Sequence, residues 1–250
     1  MLSKARIKFV KSLQIKKYRK QEQCFLVQGA KSVQELLHSD FETLFVAGTP
    51  AFLETLPGED VDRTEVIETT ERELESLGEW QTNDAGLAVA RMKENKPIDR
   101  PKGSFTLVLD DIRDPGNLGT IIRSADWFGI NQIIASPETA DFYNPKVISA
   151  TMGSFTRSRF YYAPLEEVLT TVTERVYGAY LDGRDVHKEP FGDGGLILIG
   201  NESRGISERL AKFVTDKITI PRYGHAESLN AGIAAAIICD NICRNRYPNT

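Results

Sequence analysis

The stretch LVLDDIRDPGNLGTIIRSADWFGI, residues 107–130, decides the fold. It opens with a short apolar run, passes through a turn that contains Pro115 and Gly116, and ends in a segment with apolar residues at helical spacing. Short apolar runs of this kind are typical of buried parallel strands. The turn residues suit a tight connection, because Pro fixes φ while Gly and Asn tolerate left-handed backbone. The stretch therefore predicts a strand, a turn and a helix in succession.

The same alternation continues from residue 105 to near the end of the chain. The strand candidates are 105–110, 131–135, 158–162, 176–181, 195–200 and 216–220, and the helix candidates are 119–128, 144–150, 165–174, 206–213 and 228–245. Alternating strands and helices predict an α/β fold, with a parallel sheet covered by helices on both faces.

Residues 1–97 are predicted to form a separate small α/β domain. Its strand candidates are 24–28, 42–47, 64–67 and 85–90, and Gly29 opens a helix after the first of them. A polar segment with Pro97 and Pro101 follows, which is typical of a linker. We therefore place the first domain at 1–97, the linker at 98–104 and the second domain at 105–250.

Three polar segments follow three apolar runs of the second domain. The first contains Asn117 and Arg123; the second contains Gly200, Asn201, Glu202, Arg204 and Gly205; the third contains Ile220, Ser228, Leu229 and Asn230. Ligands of open α/β sheets bind outside the carboxyl ends of the strands, so the three segments predict one shared site. The GxGxxG dinucleotide fingerprint and the GxxxxGK[ST] phosphate loop are both absent from these turns. Helix capping by Ser228 or Asn230 is the simpler alternative for the third segment.

The charge distribution points to a nucleic-acid partner although the net charge does not. The chain carries a net charge of −4, but residues 1–20 contain no acidic residue and the other 230 residues carry −12. A basic arm on an acidic body can bind a phosphate backbone, and a solvated helix face is the alternative. The basic residues of the arm are Lys4, Arg6, Lys8, Lys11, Lys16, Lys17, Arg19 and Lys20.

Other features bound the location and the chemistry. No apolar run approaches the roughly 18 residues that a membrane span needs, and the basic start is not a secretory signal, so we expect a cytoplasmic protein. Three cysteines suit a reduced compartment. Cys239 and Cys243 lie one helical turn apart without a histidine nearby in spacing, so we expect no metal site. Trp80 and Trp127 are expected in the core.

Taken together and in order, the three segments resemble the signature motifs of the SpoU/TrmH family of RNA 2′-O-ribose methyltransferases, in the SPOUT superfamily. Motif one is Asn117-x-Gly119-x-x-x-Arg123-x-Ala125-x-x-Phe128-Gly129. Motif two is Gly200-Asn201-Glu202-x-x-Gly205, and motif three is Ile220-Pro221, Gly224 and Ser228-Leu229-Asn230. The resemblance spans roughly residues 105–247.

The resemblance implies a fold, a cofactor and an assembly. It implies a C-terminal trefoil knot that binds S-adenosylmethionine through Gly200, Asn201, Gly205, Ile220 and Leu229, and it implies a homodimer. The first domain resembles the ribosomal-protein-like RNA-binding domain of many family members, although Gln28 stands where Glu is usual. In motif three, Ala231-Gly232 replaces the common Val-Ser, and Arg222 replaces the common Met.

The resemblance also implies roles in methyl transfer to a ribose 2′-hydroxyl. Arg123 lies nearest the chemistry, either as the base or as a residue that orients the hydroxyl and binds a phosphate. Glu202 either orients Arg123 or accepts the proton, while Asn117, Ser228 and Asn230 hold the loops and contact the ribose or phosphate. Arg204 is a further phosphate contact.

The implied substrate is RNA, with ribosomal RNA favoured over tRNA because the tRNA-modifying relatives often lack a first domain. Two alternatives remain: a tRNA 2′-O-methyltransferase, and a catalytically idle protein that binds RNA or assists ribosome assembly. A Rossmann oxidoreductase lacks its phosphate fingerprint.

Overall fold

The computed structural model describes residues 2–59, 63–78 and 82–246. The chain divides into two compact units. The first unit comprises residues 1–94 and 141–156, and the second unit comprises residues 95–140 and 157–250. The break after residue 94 lies near the predicted end of the first domain, but residues 141–156, which the sequence pattern assigns to the second domain, belong to the first unit. Trp80 lies outside the described residues.

The elements used below are numbered along the chain. The helices are α1 (Lys4–Ser12), α2 (Lys16–Glu22), α3 (Ala30–Leu37), α4 (Pro50–Leu53), α5 (Glu71–Leu77), α6 (Pro115–Trp127), α7 (Pro145–Thr151), α8 (Leu165–Thr170), α9 (Glu208–Ala211) and α10 (Ala231–Arg246). The strands are β1 (Cys24–Gln28), β2 (Thr43–Gly48), β3 (Glu65–Glu68), β4 (Gly86–Arg91), β5 (Phe105–Leu109), β6 (Gln132–Ala135), β7 (Arg159–Tyr162), β8 (Val176–Asp185), β9 (Gly195–Ile199) and β10 (Asp216–Thr219).

The first unit is built on a four-stranded sheet in the order β1-β4-β2-β3. Strand β4 runs antiparallel to both β1 and β2, and β2 runs parallel to β3. Every residue of β1 is buried, which explains its continuous apolar character. The core on one side contains Val10 and Leu13 of the N-terminal segment together with Leu26, Leu74 and Leu87.

The segment 141–156 contributes aromatic contacts to the first unit. The ring of Phe25 lies 4.7 Å from that of Tyr143 and 5.9 Å from that of Phe155. Aromatic pairs at such distances each add roughly 0.5–1.5 kcal/mol beyond the burial of their area. Burial raises the pKa of Tyr143 to about 12, so its hydroxyl stays protonated. These contacts explain why sequence position alone assigns this segment to the wrong unit.

The second unit is built on a six-stranded sheet in the order β10-β8-β9-β5-β6-β7. All of its strand pairs are parallel, as the alternation of strands and helices predicts. Strand β5 lies between β9 and β6, so the chain turns to opposite sides of β5 as it builds the sheet. Such a reversal of strand order opens a crevice at the carboxyl ends of the strands.

Three sequence expectations differ from the structure. Helix α6 begins at Pro115, four residues earlier than expected, because Asp114 caps it and Pro suits the first turn. Helix α10 begins at Ala231, three residues later than expected. Trp127 is 84% exposed and not in the core. The buried face of α6 is formed by Leu118, Ile121, Ile122 and Ala125, and the helical period turns Trp127 away from it.

Within the described residues, no helix is long and apolar enough to cross a membrane.

Candidate active site

Motif one is positioned by the start of α6. The side chain of Asp114 accepts a hydrogen bond of 2.8 Å from the backbone N–H of Asn117, which satisfies a donor that the helix itself leaves unpaired. Pro115 occupies the first turn, where its missing N–H costs nothing. The side chain of Asn117 is therefore fixed at the first turn of the helix, while Arg123 is exposed further along it.

The end of β5 holds motif two in place through two aspartates that the sequence pattern did not single out. Asp110 is 2% exposed, and its carboxylate accepts a hydrogen bond of 2.8 Å from the backbone N–H of Ser207. Asp111 has a left-handed backbone with φ of 60°, and its carbonyl accepts a hydrogen bond of 2.8 Å from Asn201 Nδ2. A non-glycine residue at positive φ is uncommon and marks a constrained turn. Only the preceding apolar run, which ends here, could have drawn attention to this pair.

Motif two forms a closed loop whose two ends are hydrogen-bonded to each other. The backbone groups of Asn201 and Gly205 exchange hydrogen bonds of 3.1 and 2.8 Å, and Gly205 has a φ of 68°. An added Cβ at Gly200 would lie 2.2 Å from the carbonyl carbon of Gly205. The loop therefore requires glycine at both positions, and it presents its backbone to the adjoining space.

A chain of side-chain hydrogen bonds joins the three motifs. Asn230 Nδ2 donates to Asn117 Oδ1 at 2.6 Å, and Asn117 Nδ2 donates to Glu202 Oε1 at 2.6 Å. The other end of Asn230 caps α10, because its Oδ1 accepts from the backbone N–H of Gly232 at 2.9 Å. Asn117 uses both ends of its amide, so it fixes motif two and motif three relative to each other.

A cavity of about 910 Å³ opens beside motifs two and three. Its wall combines residues 179–182 in the middle of β8, the loop of motif two, residues of the segment 218–229, and Ala231, Ala234 and Ile238 of α10. This mixture of apolar side chains and exposed backbone is typical of small-molecule sites, which usually span roughly 300–1,000 Å³. The predicted cofactor residues Gly200, Asn201, Gly205, Ile220 and Leu229 all line it, as do Glu202, Arg204 and Ser228.

Two predicted catalytic residues lie outside the hydrogen-bonded chain. Arg123 and Ser228 are both exposed. Within the described part of the chain, neither side chain makes a hydrogen bond or an ion pair. Glu202 bonds to Asn117 and makes no hydrogen bond to Arg123. Arg123 is thus an uncompensated cation on the exposed side of α6. An exposed guanidinium in this state is available to a phosphate or to a developing oxyanion.

The eight basic residues in positions 1–20 fall into three groups. Lys4, Lys8, Lys11, Lys16, Lys17 and Lys20 are exposed. Arg6 forms a two-pronged ion pair with Glu65, at 2.7 Å for both contacts. The sequence pattern places Arg19 on the exposed basic surface, and this prediction is wrong. Arg19 is only 1% exposed. Its guanidinium instead bonds to the carbonyls of Leu13 and Gln14 and to the carboxylate of Asp141, all within the first unit.

Across the residues that the structure describes, no group of three or more His, Cys, Asp or Glu side chains is arranged to hold a metal ion. Burial raises the pKa of the Cys239 thiol to about 12. The Cys243 thiol donates to the carbonyl of Phe128 at 3.2 Å. Neither cysteine is therefore a thiolate available for metal binding at neutral pH.

Comparison with known proteins extends over both units. The sequence model of the SpoU rRNA Methylase family matches residues 104–240, and that of the MRM3-like substrate binding domain matches residues 4–88. A 23S rRNA (guanosine(2553)-2′-O)-methyltransferase from Bacillus subtilis is 30% identical over 246 residues, covering 93% of this chain and 94% of that protein.

Two solved structures have the same fold over nearly the whole chain. A TrmH-family protein from Porphyromonas gingivalis is 36% identical, with a TM-score of 0.85 and coverage of 97% of this chain and 98% of that one. An AdoMet-bound rRNA methyltransferase from Sinorhizobium meliloti is 27% identical, with a TM-score of 0.87 and coverage of 98% and 96%. Together with the hydrogen bonds that join the three motifs, these matches show that the chain belongs to the SpoU rRNA methylase family.

Proposed function

We propose that this protein transfers a methyl group from S-adenosylmethionine to the 2′-hydroxyl of a nucleotide in ribosomal RNA. The observation that carries the proposal is the hydrogen-bonded chain from Glu202 through Asn117 to Asn230, which assembles the three family motifs beside a cavity of about 910 Å³. Membership of the SpoU rRNA methylase family supports the reaction, and the rRNA-methylating relative from Bacillus subtilis supports the substrate class.

The cavity fits S-adenosylmethionine in size and in the chemistry of its wall. Ile220 and Leu229 supply apolar surface for an adenosyl group, and the loop of motif two offers backbone donors and acceptors at Gly200, Asn201 and Gly205. When bound there, S-adenosylmethionine supplies an electrophilic methyl group.

The chain's own residues then position and activate the 2′-hydroxyl. Arg123 lies in motif one as an exposed cation without an acidic partner among the described residues. As a cation it would stabilise negative charge that develops on the attacking oxygen, and solvent at this exposed position would take the hydroxyl proton. The bond between the methyl group and the sulfonium would break as the new carbon–oxygen bond forms. A neutral Arg123 acting as the base is the costlier alternative, because guanidinium has a pKa above about 12. We therefore favour the cationic role.

Asn117, Glu202, Ser228 and Asn230 act in positioning under this proposal. The chain of bonds between Glu202, Asn117 and Asn230 holds the loops of motifs two and three at a fixed separation. Ser228 is exposed on the cavity wall and is available to the ribose or phosphate. Holding reacting groups in place can lower a barrier by several kcal/mol, up to about 7–11 in well-aligned systems.

Substitution of Arg123 tests the mechanism. Arg123→Ala should reduce transfer of tritiated methyl groups to bulk ribosomal RNA to background, because the attacking oxygen loses its stabilising cation. Cofactor affinity, measured by calorimetry, should change less than about twofold because Arg123 does not line the cavity. The matched control is Arg209→Ala, which removes a 53% exposed arginine from α9. Turnover close to that of the wild type in Arg123→Ala would remove this residue from the mechanism.

RNA binding is the function proposed for the first unit. The match to the MRM3-like substrate binding domain supports this role, as do the exposed lysines of α1 and α2. We propose that the unit is the ribosomal-protein-like RNA-binding domain of the family. Neutralising several of these lysines should flatten the salt dependence of RNA binding, in proportion to the number of phosphates that the unit no longer neutralises.

A homodimer is the proposed assembly. Trp127 is 84% exposed at the end of α6, and Ile233 is 51% exposed on α10, the helix that packs against α6. Large exposed apolar side chains mark interaction surfaces. Sedimentation equilibrium should give twice the mass of one chain, and Ile233→Asp should shift it toward the single-chain value. A single-chain mass for the wild type contradicts the proposal.

Two further family properties belong to the same proposal. We infer that the segment containing motif three closes a C-terminal trefoil knot, which a crystal structure traced through residues 195–246 would test. We also place the protein in the cytoplasm, where its proposed substrate is found, and cell fractionation would test this location.

A further inference from the structure

An apolar and basic corner stands out on the surface of the first unit. Ile15 is 54% exposed and Tyr18 is 37% exposed, although large apolar side chains are usually buried. Lys16, Lys17 and Lys20 are exposed beside them, and in the described part of the chain no carboxylate pairs with any of the three. The ammonium of Lys17 lies 5.8 Å from the centre of the Tyr18 ring. We call residues 15–20 the basic corner.

The basic corner is held rigidly by the buried side chain of Arg19. One guanidinium nitrogen donates to the carbonyls of Leu13 and Gln14, both at 2.8 Å, and another donates to Asp141 at 2.6 Å. Gln14 is tied in turn to the carbonyl of Leu77 at 2.7 Å. Burying a charged arginine is costly unless it is paired and hydrogen-bonded in this way. The turn between α1 and α2 is therefore fixed, and its exposed side chains are presented from a firm base.

The exposed ring of Tyr18 and the exposed lysines beside it suit the binding of a single strand of nucleic acid. Bases of single-stranded RNA stack on aromatic rings, and their phosphates attract nearby ammonium groups. A duplex offers phosphates but keeps its bases stacked within the helix. An acidic protein surface would also meet the lysines, and competition by an acidic peptide tests for such a partner. The combination of ring and unpaired lysines favours single-stranded RNA as the occupant.

We propose that the basic corner binds a single-stranded segment of the RNA substrate, with one base stacked on Tyr18 and the flanking phosphates near Lys16 and Lys20. This inference rests on the proposed function, because it specifies which part of the RNA the first unit holds. It assigns Tyr18 to binding and Arg19 to positioning the surface on which Tyr18 lies.

The test compares single-stranded and duplex RNA binding by the full chain, using fluorescence anisotropy with labelled oligonucleotides of one sequence. Tyr18→Ala should weaken single-strand binding about tenfold, within the range measured for loss of one stacked base. Binding of the duplex should change less than about twofold. Tyr18→Phe keeps the ring and should bind the single strand like the wild type. Duplex binding that stays unchanged in Tyr18→Ala separates loss of stacking from loss of folding.

Salt dependence separates the tyrosine from the lysines. Tyr18→Ala should leave the salt slope for the single strand unchanged because it removes no charge, whereas Lys16→Ala and Lys20→Ala should each reduce that slope by about 0.7. The control is Lys188→Ala, which removes an 84% exposed lysine from the second unit and should leave the slope unchanged. Equal losses for single strand and duplex in Tyr18→Ala would overturn the proposal. So would displacement of the single strand from the corner by an acidic peptide at comparable concentration.

The two proposals fail in different ways. If the wild-type chain binds single strands through Tyr18 but transfers no methyl group, the proposal for the basic corner stands and the proposed methyltransferase function is wrong. If the chain methylates ribosomal RNA and Tyr18→Ala has the same KM for RNA as the wild type, only the proposal for the basic corner is wrong.

Discussion

At the scale of single residues, Asn117 is the side chain that links motif two to motif three. Its backbone N–H is capped by Asp114, its amide nitrogen reaches Glu202, and its amide oxygen accepts from Asn230. One side chain thus connects a helix start, a strand-end loop and a second helix cap. A residue with so many constrained partners is costly to replace, because each broken bond leaves a polar group unpaired.

Gly232 is the second residue on which the site geometry depends. An added Cβ would lie 2.9 Å from Thr120 Cγ2 and 3.1 Å from Asn230 Oδ1. Gly232 is therefore a residue that allows α10 to approach α6 closely in this chain. Close approach brings Asn230 within reach of Asn117.

Gly232→Ala should consequently lower both stability and turnover. Overpacking typically costs about 1–3 kcal/mol, while the better helix propensity of Ala offsets at most about 1 kcal/mol. Urea unfolding should show a net loss of up to about 2 kcal/mol. Adding Thr120→Ser, which removes the Cγ2 atom nearest to the new Cβ, should restore part of the lost stability. Gly224→Ala is the stability control, because no atom lies within 4 Å of its added Cβ. An unchanged midpoint for Gly232→Ala would contradict this account.

The sequence predicts some of these residues and not others, for a physical reason. Asn117, Glu202 and Asn230 are predicted as one site, since the ends of parallel strands converge. The roles of Asp110 and Asp111 were not predicted. Each depends on a contact with a residue far away in the chain, and no local pattern encodes such a contact.

At the scale of elements, local chemistry predicts the existence of strands and helices better than their ends. The strand candidates of both units appear as strands. Helix α10 begins three residues later than its apolar pattern indicates, because Asn230 caps it and the segment before it lines the cavity instead. The basic N-terminal segment forms two helices, α1 and α2, and the side chain of Arg19 fastens the turn between them.

Strand β10 carries a titratable contact with a testable pH dependence. Burial on its own raises the pKa of Asp216, but hydrogen bonds from Thr215 and Arg184 outweigh it and leave the pKa below its ordinary value of 3.8. A carboxyl group whose pKa is lower in the folded state stabilises the fold above the unfolded pKa. This contribution is lost as the pH falls through the folded value.

Asp216→Asn should therefore lower the melting temperature at neutral pH, and the difference from the wild type should narrow as the pH falls below about 3.8. Thermal unfolding followed by circular dichroism across this range measures the effect. Asp240→Asn is the matched control, because Asp240 pairs with Arg244 on the exposed face of α10 and such pairs contribute little. A difference for Asp216→Asn that stays constant down to acid pH would refute the assignment.

At the scale of the whole molecule, the order of three motifs is more informative than composition. Net charge and hydrophobic content fit many globular proteins, and neither indicates a methyltransferase. The motif order indicates the family, and the family match over residues 104–240 confirms it. The assignment of residues 141–156 to the first unit could not be predicted, because it depends on aromatic contacts such as that between Phe25 and Phe155.

The two units divide the proposed task between them. The second unit contains the three motifs and the cavity, and the first unit contains the exposed lysines and the basic corner. Substrate choice is then set largely by the first unit and chemistry by the second, so that variants of each should affect different kinetic constants. Substitutions in the basic corner should raise KM for RNA, whereas substitution of Arg123 should lower kcat.

Nucleoside mass spectrometry is the most direct test of the central claim. Ribosomal RNA from cells that lack the protein would be incubated with the full chain and S-adenosylmethionine carrying a deuterated methyl group, then digested to nucleosides. The account predicts a labelled nucleoside with the methyl group on its ribose, absent when Arg123→Ala replaces the wild type. A label on a base, or no label from a chain that binds the cofactor, would contradict it.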